Sequence, residues 1–513
     1  MTRLRARSGC GAGAPRRCLR GEQGYLTVFL ALSVMAFLGL FLLLIRETGR
    51  GTARLKTACG AGTAADSVLA EFHRELHERF DLFYVDTQYL GEAAGSPAQA
   101  VGGQLEYYIK KNLENTAGKK LCALQVQEVE VTGMRMASDQ GAASLREQVY
   151  AYMSADPAGE WAAAALVTVD RWKGFETDTL EWTRRREDNR RKLEEDLRKG
   201  EERQEKEREE QPESGSGEGE GAPQEAEEEN LARKILAVME DFMEAPILHQ
   251  VYGRHAEFSA AAYPVGELLS HRPLYAGNGP VPTNSHGYPQ ADELLFDEYV
   301  LEKTGDFLHE ARQDAPLRYQ TEYILGGKDS DRKNLEAVAE QLMLLRGGVN
   351  CACLFGDTKR TAKAETVAGA ISLVLFQPHL KESLAAAILF VWSYYESVVD
   401  VRTLLKGGKI PLVKTPETWQ TPLSDLLKPW DKARVSTAEE GFDYRGYLRG
   451  LLYLEGSRTK SLRMMDIMEM EIRQTPQGSG FRMDRCMDLY SFRARIGCGT
   501  GEPFQVEMTV GYD

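Results

Sequence analysis

Few residues in this chain have the types and spacing that chemistry would need. His73 and His77 stand four apart, the separation at which two imidazoles on one helix face can share a zinc ion. The string His73-Arg74-Glu75-Leu76-His77 lacks the zinc-protease order, in which a glutamate directly follows the first histidine, so the pair reads as two polar-face histidines. Cys351-Ala352-Cys353 is a lone CxC with no second pair to complete a tetrahedral site. Cys486 and Cys498 flank an alternating segment and form a candidate disulfide, which an oxidising compartment would permit. Cys10 and Cys18 precede the main apolar stretch, so neither is the lipidated cysteine that follows an apolar signal region. His249, His255, His271 and His286 are spread through or near a loop-like segment without ligand spacing. Asp329, Asp331 and Asp400 could supply carboxylates, but charges at helix ends account for them equally well. There is no GxSxG, HExxH or P-loop, and no cysteine–histidine pairing with a recognisable context. The expectation is a protein that is not an enzyme, with no catalytic residue, cofactor or metal.

The chain's organisation follows instead from Tyr25 to Ile45, YLTVFLALSVMAFLGLFLLLI, which contains no charge and no proline. As a helix it would be roughly 30 Å long, the thickness of a bilayer's hydrocarbon core. A buried core helix would show a polar face, whereas this stretch offers only Thr27 and Ser33. It reads as a transmembrane helix in contact with lipid. Arg3, Arg5, Arg7, Arg16, Arg17 and Arg20 precede it, against Glu22 alone. Arg46, Arg50, Arg54 and Lys56, diluted by Glu47, follow it. The positive-inside bias therefore places residues 1–24 in the cytoplasm as a basic leader and the rest outside, in a single-pass cell-membrane protein. A cleaved secretory signal is the rival reading, but the apolar run is long for one, and four cations separate it from Ala58-Cys59-Gly60.

The remainder is expected to be α+β and mainly helical, with a small antiparallel sheet. Apolar residues at three- and four-residue steps from Ala61 to Phe83 continue the helix beyond the membrane. Residues 122–133 alternate as a strand, with a slip at Gln127-Glu128 that suggests a bulge. Helices are expected at 143–153 and 158–182, which closes a first half at 46–182. Residues 183–230 are expected to form a charged, largely disordered linker or insertion; its 211–229 part holds glutamates without a cation. The second half, 231–513, opens with a short amphipathic helix near 231–242 and a loop-rich stretch at 246–290. Its runs at 362–376 and 384–395 are each too short to cross a bilayer and read as buried core helices. Glu396, Asp400 and Arg402 would form one paired polar patch. Amphipathic helices at 444–454 and 461–473 precede a hairpin at 487–510, for which the strand at 122–133 is the natural partner. The net charge is −14, and the basic cluster Arg184-Arg185-Arg186 is interleaved with acids, which argues against a nucleic-acid partner.

The order of these features resembles an uncharacterised family of Gram-positive bacterial membrane proteins associated with Tad (Flp) pilus-type loci and TadE/TadG-like components. The matching stretches are Gly24 to Leu30, Ala65 to Phe72, Leu145 to Met153, Tyr323 to Ser330, Glu396 to Arg402 and Pro411 to Thr415. The resemblance implies a pseudopilin-like, membrane-tethered structural component whose partners are subunits of a pilus or secretion apparatus. It lends no catalytic residues. It also implies a candidate leader cleavage between Gly24 and Tyr25, although Phe29 stands where pilins usually carry a glutamate. The alternatives are a cell-envelope hydrolase and an extracytoplasmic ligand-binding sensor.

Overall fold

The computed structural model describes residues 22–90, 96–114, 124–155, 172, 180–196, 198–199, 202, 246–253, 257–278, 290–374, 377–427, 437–438, 440–498 and 502–512. Residues 1–21 of the basic leader, the acidic 211–229 stretch and the helix expected at 231–242 fall outside these residues, as does most of the helix expected at 158–182. The architecture is α+β: mostly helical, with one small antiparallel sheet. The chain divides into two compact units. One holds residues 1–70, 93–132 and 491–510, and the other holds 71–92, 133–490 and 511–513.

The first unit is built on helix α1, Glu22–Leu69. Its C-terminal half is rich in small residues, and Ala53, Ala61, Ala64 and Ala65 are buried there. Short side chains let α2, Pro97–Glu114, pack closely against it through Ala100, Val101, Leu105 and Ile109. Asn112 Nδ2 donates to the Gly60 carbonyl at 3.1 Å. The sheet contains β1 (Val85–Asp86), β2 (Leu124–Met136), β3 (Cys486–Cys498) and β4 (Phe504–Gly511). β3 pairs with each of the other three. In the first unit its register can be followed through exposed charges. Glu130 meets Arg493 and Glu128 meets Arg495 across β2 and β3, while Arg493 also bonds Glu507 of β4 at 2.6 Å. Phe492, Ala494 and Ile496 point to the opposite, buried face. Strand geometry makes this alternation unavoidable, and exposed pairs of this kind contribute roughly 0.2–1 kcal/mol each. The expected slip is present, since Gln127 and Glu128 are both exposed.

The second unit carries the larger core. Helices α4 (Asp331–Gly356), α5 (Thr358–Val374) and α6 (Lys381–Leu405) pack on one another, while α3 (Asp139–Ala155) and α7 (Tyr444–Leu454) lie on a helix at Gln290–Lys303. The segment Pro378–Leu405 is long and apolar enough to cross a membrane, but 83% of its apolar window is buried, as expected of a core helix. Helix α8, Ser457–Arg473, departs from the amphipathic expectation, because every residue from Met464 to Ile472 is buried. The long helix expected to reach Phe83 also breaks. α1 stops at Leu69, and a separate helix begins at Arg74 after His73, whose extended backbone and Nδ1 cap it by accepting from Leu76 N at 3.2 Å.

Cys486 and Cys498 do not form a disulfide. They are the two ends of β3, and twelve steps at about 3.3 Å separate them by roughly 40 Å. A disulfide needs Cα atoms within about 7 Å of each other.

Candidate functional site

Two features mark out this chain physically: an uncovered apolar rod and a core that holds charge. The large apolar side chains from Tyr25 to Ile45 are 47–83% exposed, and none of the described residues covers them. Rare as exposed apolar surface on this scale is in a soluble domain, it is what a lipid-facing helix requires. Thr48 Oγ1 and Thr52 Oγ1, just beyond this stretch, donate to the carbonyls four residues earlier at 2.7 and 2.9 Å. This part of α1 is compatible with a single membrane span. The Gly24–Tyr25 bond lies within its first turn.

Asp400 and Glu396 sit four apart on α6 and share the Lys414 ammonium, which lies 2.8 Å from Asp400 Oδ1 and 2.6 Å from Glu396 Oε1. Arg346 of α4 closes the network, with Nη2 2.9 Å from Asp400 Oδ2 and Nη1 donating to the carbonyls of Pro411 and Leu412. Asn350 Nδ2 adds a bond to Asp400 Oδ2 at 3.0 Å. Glu396 also accepts from Gln420 N, Thr421 N and Thr421 Oγ1. All four charged side chains are fully buried. Burial pushes the Asp400 carboxyl up, but Arg346 and Lys414 outweigh it and hold the group below the ordinary carboxylate range. Two cations balance two anions in a sealed interior, so the arrangement pins the Pro411–Thr421 connector onto α4 and α6. Arg402 is not part of it, contrary to the expected single patch. Two residues past Asp400 the helix turns its side chain elsewhere, and Arg402 donates instead to the carbonyls of Val251 and Gln250, both at 2.7 Å.

Helix α8 supplies a second buried set. Asp466 accepts from Ser270 N and Tyr323 OH, at 3.0 and 2.9 Å. Glu469 takes a two-pronged contact from Arg272, at 2.5 and 2.9 Å. Glu471 accepts from Gln320 Nε2 at 2.7 Å and Arg79 Nη1 at 3.3 Å. Asp466 and Glu469 thus hold the same Ser270–Arg272 segment, and Glu471 holds two other helices through Gln320 and Arg79. Burial raises Asp466 to about 6, against the opposing bonds from Ser270 and Tyr323.

Burial holds two further carboxyls well above the ordinary carboxylate range. Burial raises Glu322 to about 8; its Oε1 accepts from Tyr444 OH and Phe307 N, and its Oε2 has no partner among the described residues. Asp297, raised by burial to about 7, faces Lys460 at 2.5 Å. Such groups often serve as proton donors where substrate can reach them, but both of these are fully buried.

The other sequence candidates are structural. Asp329 is exposed and paired with Lys333. Asp331 is buried and accepts from Arg318 N, Tyr319 N and Ser259 Oγ, so it fastens the start of α4. His73 is used as a cap, and the His77 ring stacks on Phe83 with centroids 4.3 Å apart. Cys351 shares a 2.9 Å contact with Ser393 Oγ, and burial lifts its thiol to about 11. Among the described residues no group of three His, Cys, Asp or Glu side chains could hold a metal ion. Arg346, Lys414, Glu469 and Arg272 were not evident from sequence as charge partners. The only local hint was a cation within an apolar run, as at Arg346 and Lys414.

Residues 224–498 match a family of unknown function, DUF5702. No curated protein matches the chain, and neither does any solved structure.

Proposed function

We propose, from the premise that the chain belongs to this family of unknown function, that it is a membrane-anchored structural or assembly component of a pilus-like or secretion apparatus of the Tad/Flp type. Residues 25–45 anchor it, the basic N-terminus lies in the cytoplasm, and the chain from residue 46 onward lies outside the cell, where it binds other subunits or the wall. The observation that carries this reading is α1 itself: one helix whose exposed apolar half runs without a break into a half buried in a folded unit. That continuity couples an anchor to a protein-binding body, as a subunit of a surface assembly needs. The excess of cations before Tyr25 supports the orientation. The enclosure of Glu322, Asp297 and Asp400 favours this reading over a cell-envelope hydrolase, whose acids must meet substrate.

The test is fractionation with surface proteolysis, followed by co-purification from detergent-solubilised membranes. The reading expects membrane-bound protein, loss of the C-terminal units when protease is added to intact cells, and recovery of assembly ATPase or platform subunits. Intact protein free in the cytosol, or C-terminal units that survive external protease while the membrane marker is digested, would refute it.

A further inference from the structure

We propose that the second unit binds a small hydroxylated organic anion, carrying a carboxylate or phosphate group, in the cleft between the start of α3 and the start of α8. The cleft has a volume of about 550 Å³, which accommodates a metabolite-sized molecule. Its floor is an unusual backbone. Gln140, Gly141 and Ala142 follow one another in the left-handed region, at φ of 52°, 68° and 66°, and only one of the three is glycine. Left-handed backbone at a non-glycine residue persists only where its surroundings impose it, and it concentrates at ligand sites. The turn frees donors. Among the described residues the N–H groups of Gln140 and Gly141, which line the cleft, have no acceptor.

Cations stand on the same cleft. Arg146 is held by its Nη1 bonds to Gly141 O at 2.7 Å and Ser461 Oγ at 3.3 Å, so its guanidinium is fixed in place before any ligand arrives. Arg458 lies across Gly141, with its Cγ 3.3 Å from where a β-carbon would stand, and it is exposed with no carboxylate partner among the described residues. Tyr275 forms part of the wall, and the guanidinium of Arg485 lies 4.6 Å from its ring centroid. Arg485 contacts Gln88 and the Tyr275 hydroxyl, and no carboxylate among the described residues. Among the described residues the one acid in the lining is Asp139, which already accepts backbone N–H groups from Met136 at 2.8 Å and Gly277 at 3.1 Å, while Glu293 lies behind the lining near Arg146 and Ser457. The Ser138 hydroxyl donates to Tyr275 O at 3.3 Å and the Ser457 hydroxyl to Glu293, and Leu274 is the one large aliphatic side chain among the described residues of the lining. Fixed and free guanidinium groups with open N–H donors suit an oxyanion, and the polar remainder of the wall suits hydroxyls.

The experiment is isothermal titration of the full chain in detergent with sn-glycerol 3-phosphate, D-glycerate and glycerol. Saturable binding of at least one of the two anions, with none of glycerol, is the expected result. Which anion binds identifies the head group. Arg458→Glu should weaken that binding by about tenfold or more, since it replaces a charge-assisted donor by a like charge, and Arg458→Gln should weaken it less. The thermal unfolding of both variants should match that of the parent protein, because Arg458 is exposed. If neither anion saturates, if glycerol binds as well as the anions, or if folded Arg458→Glu and Arg458→Gln both bind like the parent, the proposal fails.

Discussion

Asp400→Asn tests the buried charge network directly. The substitution keeps the size of the side chain and removes its charge. Arg346, fully buried, then loses the one carboxylate it contacts among the described residues, while Lys414 keeps Glu396. Breaking a buried pair from one side costs about 3–5 kcal/mol, because the remaining ion stays out of water without its counter-charge. Urea unfolding should be followed by tryptophan fluorescence. Trp392 and Trp419 both donate to Thr421 O at 2.9 Å, directly beside Glu396, so they report on this region. With an m-value of about 3 kcal/mol/M, a loss of about 4 kcal/mol lowers the midpoint by about 1.3 M. Replacing both partners with apolar residues, Arg346→Met with Asp400→Leu, should recover much of the loss, since the desolvation cost disappears with the charges. The acid limb adds a check of sign. The folded carboxyl is held below its ordinary value, so its contribution is present above about pH 4 and is lost as pH falls through the folded pKa. Should Asp400→Asn unfold within about 1 kcal/mol of the parent protein, the value of an exposed pair, the network is not what secures this core.

Glu322 predicts the opposite pH dependence. Its folded pKa is raised to about 8 from 4.5, so its contribution is full below about 4.5 and is lost as pH rises towards 8; Glu322→Gln should flatten that decline in a pH series of urea midpoints. Gly478→Ala would place a β-carbon 1.9 Å from Ile472 O, and the turn after α8 must shift, at a cost of about 1–3 kcal/mol that a thermal melt will register. Leu38→Arg with Leu42→Arg would put two charges in the apolar stretch, at about 2.5–3.5 kcal/mol each, and should move the protein from the carbonate-resistant pellet to the supernatant.

Much of the fold could be read from residue periodicity. The apolar runs of α5 and α6 and the alternation in β2, β3 and β4 all appear near their expected positions. These are local signals, set by which face of an element is buried. What was hidden depended on partners far away in sequence. The string Met464-Met465-Asp466-Ile467-Met468-Glu469-Met470-Glu471 looks like an amphipathic helix with a wet face, and only the arrival of Ser270, Arg272 and Gln320 turns that face inward. Glu396 and Asp400 were visible as a polar pair, but Arg346, 54 residues from Asp400, was not. The cleft was invisible for another reason. A left-handed backbone at Gln140 and Ala142 leaves no mark in composition, and the single Gly141 between them is an ordinary residue to find near a helix start.

The sheet also constrains when the protein can finish folding. Arg135 of β2 bonds Asp488 of β3 at a sequence separation of 353, and Thr87 reaches the carbonyl of Arg485 at a separation of 398. Strands that leave the ribosome early must therefore wait for those made last. At 5–20 residues per second that delay is roughly 20–70 s. Over that interval β2 presents an unpaired edge, a hazard that Gln125, Gln127, Glu128 and Glu130 blunt with polar and negatively charged side chains. A truncation near the C-terminus would consequently damage the beginning of the chain as well as its end.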